Sequence, residues 1–258
     1  MRMSKPTKPA NSQTLLRGLS VLECVAHMPR SIPEIAEEAG ISYQTAHRIV
    51  SVLTDVRYLR QVDSRLYGLG PKVVELGFAG YQQADVTKIA KPCLTKLAQA
   101  TSDTVHLARL EDGEVIYLDK LQSRRPIEIT SRIGGRKPAV STGVGKALLL
   151  DTPEEELRQL FKRDRHLMKV KTSEVEWFER MRVYQDGGYA YDLGEDEHQI
   201  RCVAAPLRDA TGRIVAAISV SSTLEYMQQD RMEALIPVVK STAAEISRGL
   251  GFVDIRDV

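Results

Sequence analysis

The chain has 258 residues, 43% hydrophobic and 27% charged, with a formal net charge of +2. That is enough for one large or two ordinary globular domains and excludes a disordered or fibrous protein. No apolar run approaches the about 18 residues needed to cross a bilayer, so no membrane association is expected. Residues 1–11 are polar, with none of the apolar core of a secretion signal, and are expected to form a disordered tail on a cytoplasmic protein. Cys24, Cys93 and Cys202 lie far apart without a C-x-x-C pair, which fits free thiols and no metal site.

The distribution of charge says more than its sum. Residues 1–80 hold ten Lys/Arg against seven Asp/Glu, and the remainder is close to balanced. A nucleic-acid footprint would therefore be a local patch on a small N-terminal domain.

Apolar residues recur at helical spacing from Thr14 to Met28, where Pro29 stops the first helix. Ser31 with Glu34 three residues on forms a capping box for a second helix over Ile32–Ala39, closed by Gly40. Ser42 caps a third, from Tyr43 to Thr54, with Ala46, Ile49, Val50 and Leu53 as its inward stripe. Two short helices around a tight glycine turn spell a helix-turn-helix. The β-prone runs at Tyr58–Val62 and Leu66–Leu69, around Asp63-Ser-Arg65, add a wing. Pro71 opens a linker helix ending near Ala84. The outward face of the third helix offers Ser42, Gln44, Thr45, His47 and Arg48, and the wing offers Arg60 and Arg65. Gln and Arg match the edges of adenine and guanine, while Ser and Thr suit phosphates or bases. The alternative is a polar, solvated face of a small helical bundle.

Beyond Asp85 the pattern changes. A helix over Val86–Ala100 precedes strands at Thr104–Leu110, Glu114–Leu121 and Ile127–Ile133. Helical stretches follow at Gly143–Leu150, Pro153–Phe161 and Ser173–Gln185, then strands at Ile200–Leu207 and Arg213–Val220, and a last helix from Gln228 to Leu250. Strands gathered around helices predict an α+β domain with one antiparallel sheet. Within it, Gly134–Leu149 contains Gly145-Lys146 but lacks the glycine and Ser/Thr of a phosphate loop, with Val140 and Ala147 at those positions. Two readings of this block stand open: a glycine-rich helix start that admits an anion such as a carboxylate, or a plain capped helix packed on the sheet. Ser219 and Ser221 share a strand face, with Cys202 in a neighbouring strand and Asp192 ending another segment; together they suit a small polar ligand. An enzyme would have to use Cys202 or Ser141 with His198 or Glu195. The chain has no nucleophile elbow, zinc spacing or cofactor loop, so no enzymatic activity, metal or cofactor is expected.

Arg17-Gly-Leu-Ser-Val-Leu, Ile32-Pro-Glu-Ile-Ala, Gly40-Ile-Ser-Tyr-Gln-Thr-Ala-His-Arg and Leu66-Tyr-Gly-Leu-Gly resemble the DNA-binding half of the isocitrate lyase regulator (IclR) family. Gly188-Tyr-Ala-Tyr-Asp and Ile200-Arg-Cys-Val-Ala-Ala-Pro-Leu extend that resemblance through the C-terminal half to Ser221. It implies a winged helix-turn-helix over 12–70, a linker helix over 71–84 and a GAF-like α+β effector-binding domain over 85–258. It also implies a dimer or tetramer on a short palindromic operator in double-stranded DNA. Carried over by position, the effector pocket would include Pro126, Ile129, Gly143, Val144, Asp192, Cys202, Ser219 and Ser221. The family's glycine before Arg-Cys is Gln199 here, and Ser222-Thr223 stands in place of a common Gly-Pro. The basic residues Arg124, Arg125, Arg132, Arg136 and Lys137 point to an organic acid or sugar acid as effector.

Overall fold

The computed structural model describes residues 12–126 and 129–253, and the chain divides into two compact units between Ala84 and Asp85. The first unit holds α1 (Gln13–Cys24), β1 (Arg30–Ser31), α2 (Ile32–Glu38), α3 (Tyr43–Asp55), β2 (Leu59–Gln61), β3 (Leu66–Leu69) and α4 (Pro71–Gln83). The first helix stops at Cys24, a turn before Met28, because the chain must turn back into β1. There Arg30 donates from Nε to the Cys24 carbonyl at 2.8 Å and pairs with Glu38 at 3.1 Å. The capping box is formed: Glu34 Oε2 accepts from the Ser31 backbone N–H at 2.7 Å and its hydroxyl at 2.6 Å. Gly40 turns the chain into α3 at φ +61°, a conformation glycine adopts without steric cost. Ser42 then caps α3 by accepting from the Thr45 N–H at 3.3 Å. The core joins Val21, Cys24 and Val25 of the first helical segment to Ile35, Ile49, Val50 and Leu59. The wing is a three-stranded antiparallel sheet in the order β1-β3-β2. Its first strand, two residues long, carries no periodic signal in the sequence.

The second unit runs α5 (Val86–Thr101), β4 (Thr104–Glu111), β5 (Glu114–Leu121), β6 (Arg136–Pro138), α6 (Gly143–Leu148), α7 (Glu154–Asp164), a short 3-10 turn (Arg165–Leu167), α8 (Glu174–Gly187), β7 (Ala190–Asp192), β8 (Ile200–Arg208), β9 (Ile214–Thr223) and α9 (Gln229–Gly249). Among the described residues six strands form one antiparallel sheet, order β6-β5-β4-β9-β8-β7. The chain is thus α+β, as its element pattern predicts. The strand expected at Ile127–Ile133 is absent over 129–133; Ile127 and Glu128 lie outside the described residues, as does the tail 1–11. The edge position is taken instead by β6, whose Arg136 pairs with Ile116.

Register decides what meets what. Asp192 lies opposite Cys202, Cys202 opposite Ser221, and Ser221 opposite Thr104. One rung over, Ala204 faces Ser219, Ser219 faces His106, and His106 faces Lys120. Directly opposed residues share a sheet face, so all of these point the same way. A bulge between Leu107 and Ala108 shifts the pairing so that Ala108 meets Tyr117, which turns the tyrosine onto that face too. Helix α6 packs on this side, with Gly143 against Cys202 Sγ. The helix α5 covers the other, where Lys91 pairs with Asp119 at 2.7 Å.

Candidate DNA-reading face and effector cavity

Along α3 the inward stripe buries Ala46, Ile49 and Val50, which leaves Gln44, His47 and Arg48 exposed and Thr45 half-buried beside Ser42. Ser42 and Thr45 hydroxyls lie 2.9 Å apart, so the cap also orients the threonine. Arg60 and Arg65 project from the wing, exposed. The cations divide by role. Arg30 is paired with Glu38, and Arg57 and Lys72 with Glu75, whereas Arg48, Arg60 and Arg65 form no ion pair among the described residues. Unspent guanidinium groups on a helix and a hairpin are what a phosphate-lined groove needs.

In the second unit a cavity lies between α6 and the sheet. Ile129, Gly143, Val144, Asp192, Cys202, Ser219 and Ser221 all line it. Pro126 lines an adjoining depression with Thr104, Lys120 and Arg125, and Ile129 borders both. Sequence reasoning missed His106, Tyr117, Ser131, Thr142, Asp196, Glu197 and Ile200, which with Lys137 of the basic run complete the wall. His106 is the centre of its polar side. Its Nε2 lies 2.7 Å from Ser131 Oγ, and its Nδ1 3.3 and 3.4 Å from the hydroxyls of Ser221 and Ser219. Burial, reinforced by the Lys120 ammonium, pushes its pKa down to about 3, so the ring is neutral. Tyr117 packs on it with ring centroids 5.0 Å apart. Burial also pushes the Cys202 thiol up to about 12, aided by Asp192, so it is no nucleophile.

Asp192 is held by the backbone: its Oδ1 accepts from the N–H groups of Gly194 at 2.8 Å and Glu195 at 2.9 Å. Burial raises its pKa well above the carboxylate range, against the pull of Lys146. Glu195 is buried as well, yet Lys146, 2.9 Å away, keeps it ionised. At the cavity mouth Lys137 sits 3.0 Å from Asp196 and 3.4 Å from Glu197, and Glu197 also accepts from the Thr130 hydroxyl at 2.7 Å.

The glycines of α6 serve the protein's own packing. A Cβ on Gly143 would come closer than 3.0 Å to Cys202 Sγ, and one on Gly145 would press equally hard on the Ala139 backbone. Thr142 caps the helix by accepting from the Gly145 N–H at 3.0 Å. The basic run that suggested an acid is likewise committed or solvent-facing. Arg125 pairs with Asp103 at 2.9 Å, Arg136 with Glu114 at 3.2 Å, and Arg124 and Arg132 are exposed.

Among the described residues no group of His, Cys, Asp and Glu is arranged to hold a metal ion, and no helix is long and apolar enough to cross a membrane. Two family models match: the IclR helix-turn-helix domain over residues 14–63 and the bacterial transcriptional regulator IclR C-terminal domain over 78–248. The regulator KdgR of Escherichia coli K12 is 26% identical over 252 residues, 96% of each chain. The transcriptional repressor IclR of the same organism is 29% identical over 255 residues, covering 95% of this chain and 93% of that one. The repressor BlcR of Agobacterium tumefaciens superposes with a TM-score of 0.83 at 26% identity, over 95% of this chain and 99% of that one. With both halves matched and a DNA-reading helix joined in one chain to a domain with a lined cavity, the protein belongs to the IclR family of transcriptional regulators, DNA-binding proteins rather than enzymes.

Proposed function

We propose that this regulator is a ligand-responsive repressor of a catabolic or metabolic operon in the cytoplasm. Residues 12–70 read a short palindromic operator through Ser42, Gln44, Thr45, His47, Arg48, Arg60 and Arg65, as a dimer or tetramer whose symmetry mirrors that of the site. Residues 71–84 link them to an effector domain, 85–258, in which Ile129, Gly143, Val144, Asp192, Cys202, Ser219 and Ser221, with Pro126 at the rim, hold a small polar metabolite. The observation that carries this reading is the cavity itself, a buried polar wall around His106 and Ser219 in the unit that does not contain α3. Control follows from linkage: an effector that prefers one state of the protein lowers or raises operator affinity by its differential binding. The test is a gel shift on the DNA upstream of the gene itself. Arg48→Ala should abolish the shift while Ser219→Ala/Ser221→Ala retains it and loses its response to metabolite; a shift indifferent to Arg48 sinks the DNA-reading assignment.

A further inference from the structure

We infer that residues 129–133 form a gate over the effector cavity, latched shut by Lys120, and that a metabolite enters only when this latch gives way. The gate rests on the sensor reading above and adds the moving part that it requires. As it stands the cavity encloses about 30 Å³, room for a water molecule or two. An ordinary ligand pocket measures about 300–1,000 Å³. Part of the wall must therefore move.

Most of that wall is pinned. His106, Cys202, Ser219 and Ser221 stand on β4, β8 and β9, strands hydrogen-bonded to a neighbour on either side. Every residue of α6 is buried, and its glycines already abut Cys202 and the Ala139 backbone. The loop carrying Asp196 and Glu197 is tied by Lys137, by Lys146 and by backbone N–H bonds to the Asp192 and Glu195 carboxylates.

Residues 129–133 differ. They form no helix or strand, and among the described residues Ile129, Thr130 and Ser131 make no backbone-to-backbone hydrogen bond. Segments tied so sparsely are the ones that open locally. Side chains from elsewhere hold them down. The Lys120 ammonium donates to the carbonyls of Ile129 at 2.6 Å and Ser131 at 2.7 Å. His106 Nε2 lies 2.7 Å from Ser131 Oγ, and the Thr130 hydroxyl donates to Glu197 at 2.7 Å. Lys120 forms no ion pair among the described residues, so its charge serves these two carbonyls. Downstream the Gly134 N–H donates to the Tyr117 carbonyl at 2.8 Å, which fixes that end to β5. Gly134, at φ +77° with open space around it, supplies the pivot. Beyond Ile129 lies the adjoining depression, about 430 Å³, lined by Lys120, Gln122 and Arg125. Ile129 borders both spaces, and withdrawing it joins them into one of ligand size.

Cys202 reports on the gate whatever the effector is, since its thiol lines the cavity and is only 5% exposed. The full chain is treated with methyl methanethiosulfonate, and labelling of Cys202 and Cys93 is followed by peptide mass spectrometry. Lys120→Met should label Cys202 about tenfold faster than wild type, and Thr130→Val, which alters an exposed side chain, about threefold faster. Cys93, on α5 behind the sheet, should keep its wild-type rate in both. Wild-type Cys202 labelling as fast as in urea would mean an open cavity and overturn the gate. A Cys202 rate unmoved by both variants would overturn it too, as would a rise shared equally by Cys93, the mark of a whole unit loosening. Each of these results leaves the sensor reading intact, which stands or falls on the Ser219→Ala/Ser221→Ala gel shift.

Discussion

Gly143→Ala tests whether α6 is glycine-rich for the protein's sake. The new methyl would lie closer than 3.0 Å to Cys202 Sγ and 3.2 Å from the Asp192 backbone nitrogen, in a wall with no open space. Overpacking of this kind costs about 1–3 kcal/mol, which for a unit of this size lowers the melting temperature by about 2–12 °C. The chain carries its own reporter. Trp177, its sole tryptophan, is buried in the effector unit and donates from Nε1 to the Val140 carbonyl at 3.0 Å, just before α6. A fluorescence melt therefore follows this unit alone. Because the obstacle is one sulfur atom, Cys202→Ala should restore part of the loss, and the double variant should melt above Gly143→Ala. Gly145→Ala should resist any such rescue, since there the obstacle is the Ala139 backbone. A Gly143→Ala melt equal to wild type, or a double variant with strictly additive losses, would refute the packing argument and return Gly143 to the role of a ligand's approach path.

Three further outcomes are expected. The native fold keeps His106 neutral, with its pKa pushed far below the ordinary 6.5. Its contribution is complete above about pH 6.5 and is lost by about 1.4 kcal/mol per unit as pH falls toward about 3; Trp177 melts at about pH 7 and about pH 5.5 should diverge in wild type and converge in His106→Gln. Asp103 is fully buried between Arg125, at 2.9 Å, and Arg231. Asp103→Ala leaves two guanidinium groups facing each other and should cost about 3–5 kcal/mol in urea unfolding, against a much smaller loss in Arg125→Lys. Arg65→Ala should weaken binding to all DNA sequences alike and flatten the salt dependence by about one unit of slope; a change confined to the operator would mean that Arg65 reads bases.

What the sequence disclosed was governed by range. The helix-turn-helix is legible because each of its signals is local: Ser31 with Glu34, Gly40, Ser42, and a stripe repeating within α3. The short strands β1, β6 and β7 are not, since two or three residues carry no period and owe their shape to a partner elsewhere. The cavity shows the same divide. Ser219 and Ser221 stand out within one strand, but His106 is a lone histidine until β4 pairs with β9 and sets it opposite Ser219. Asp196 and Glu197 carry no signal along the chain, and only folding brings them to Lys137 at the cavity. The basic run from Arg124 to Lys137 reads as one cluster along the chain, where the ion pairs of Arg125, Arg136 and Lys137 do not show.

The two-residue strand β1 has a mechanical consequence. Arg30 pairs with Tyr67 and Ser31 with Leu66, so the start of α2 is stitched to the strand that carries the wing. The same Ser31 caps α2 through Glu34. Helix and hairpin thus form one stiff reading head, whose grip on DNA need not be assembled piece by piece. Contacts made by Arg48 and by Arg65 then share a single ordering cost on binding, and the second comes at less entropic expense than it would on a free hairpin.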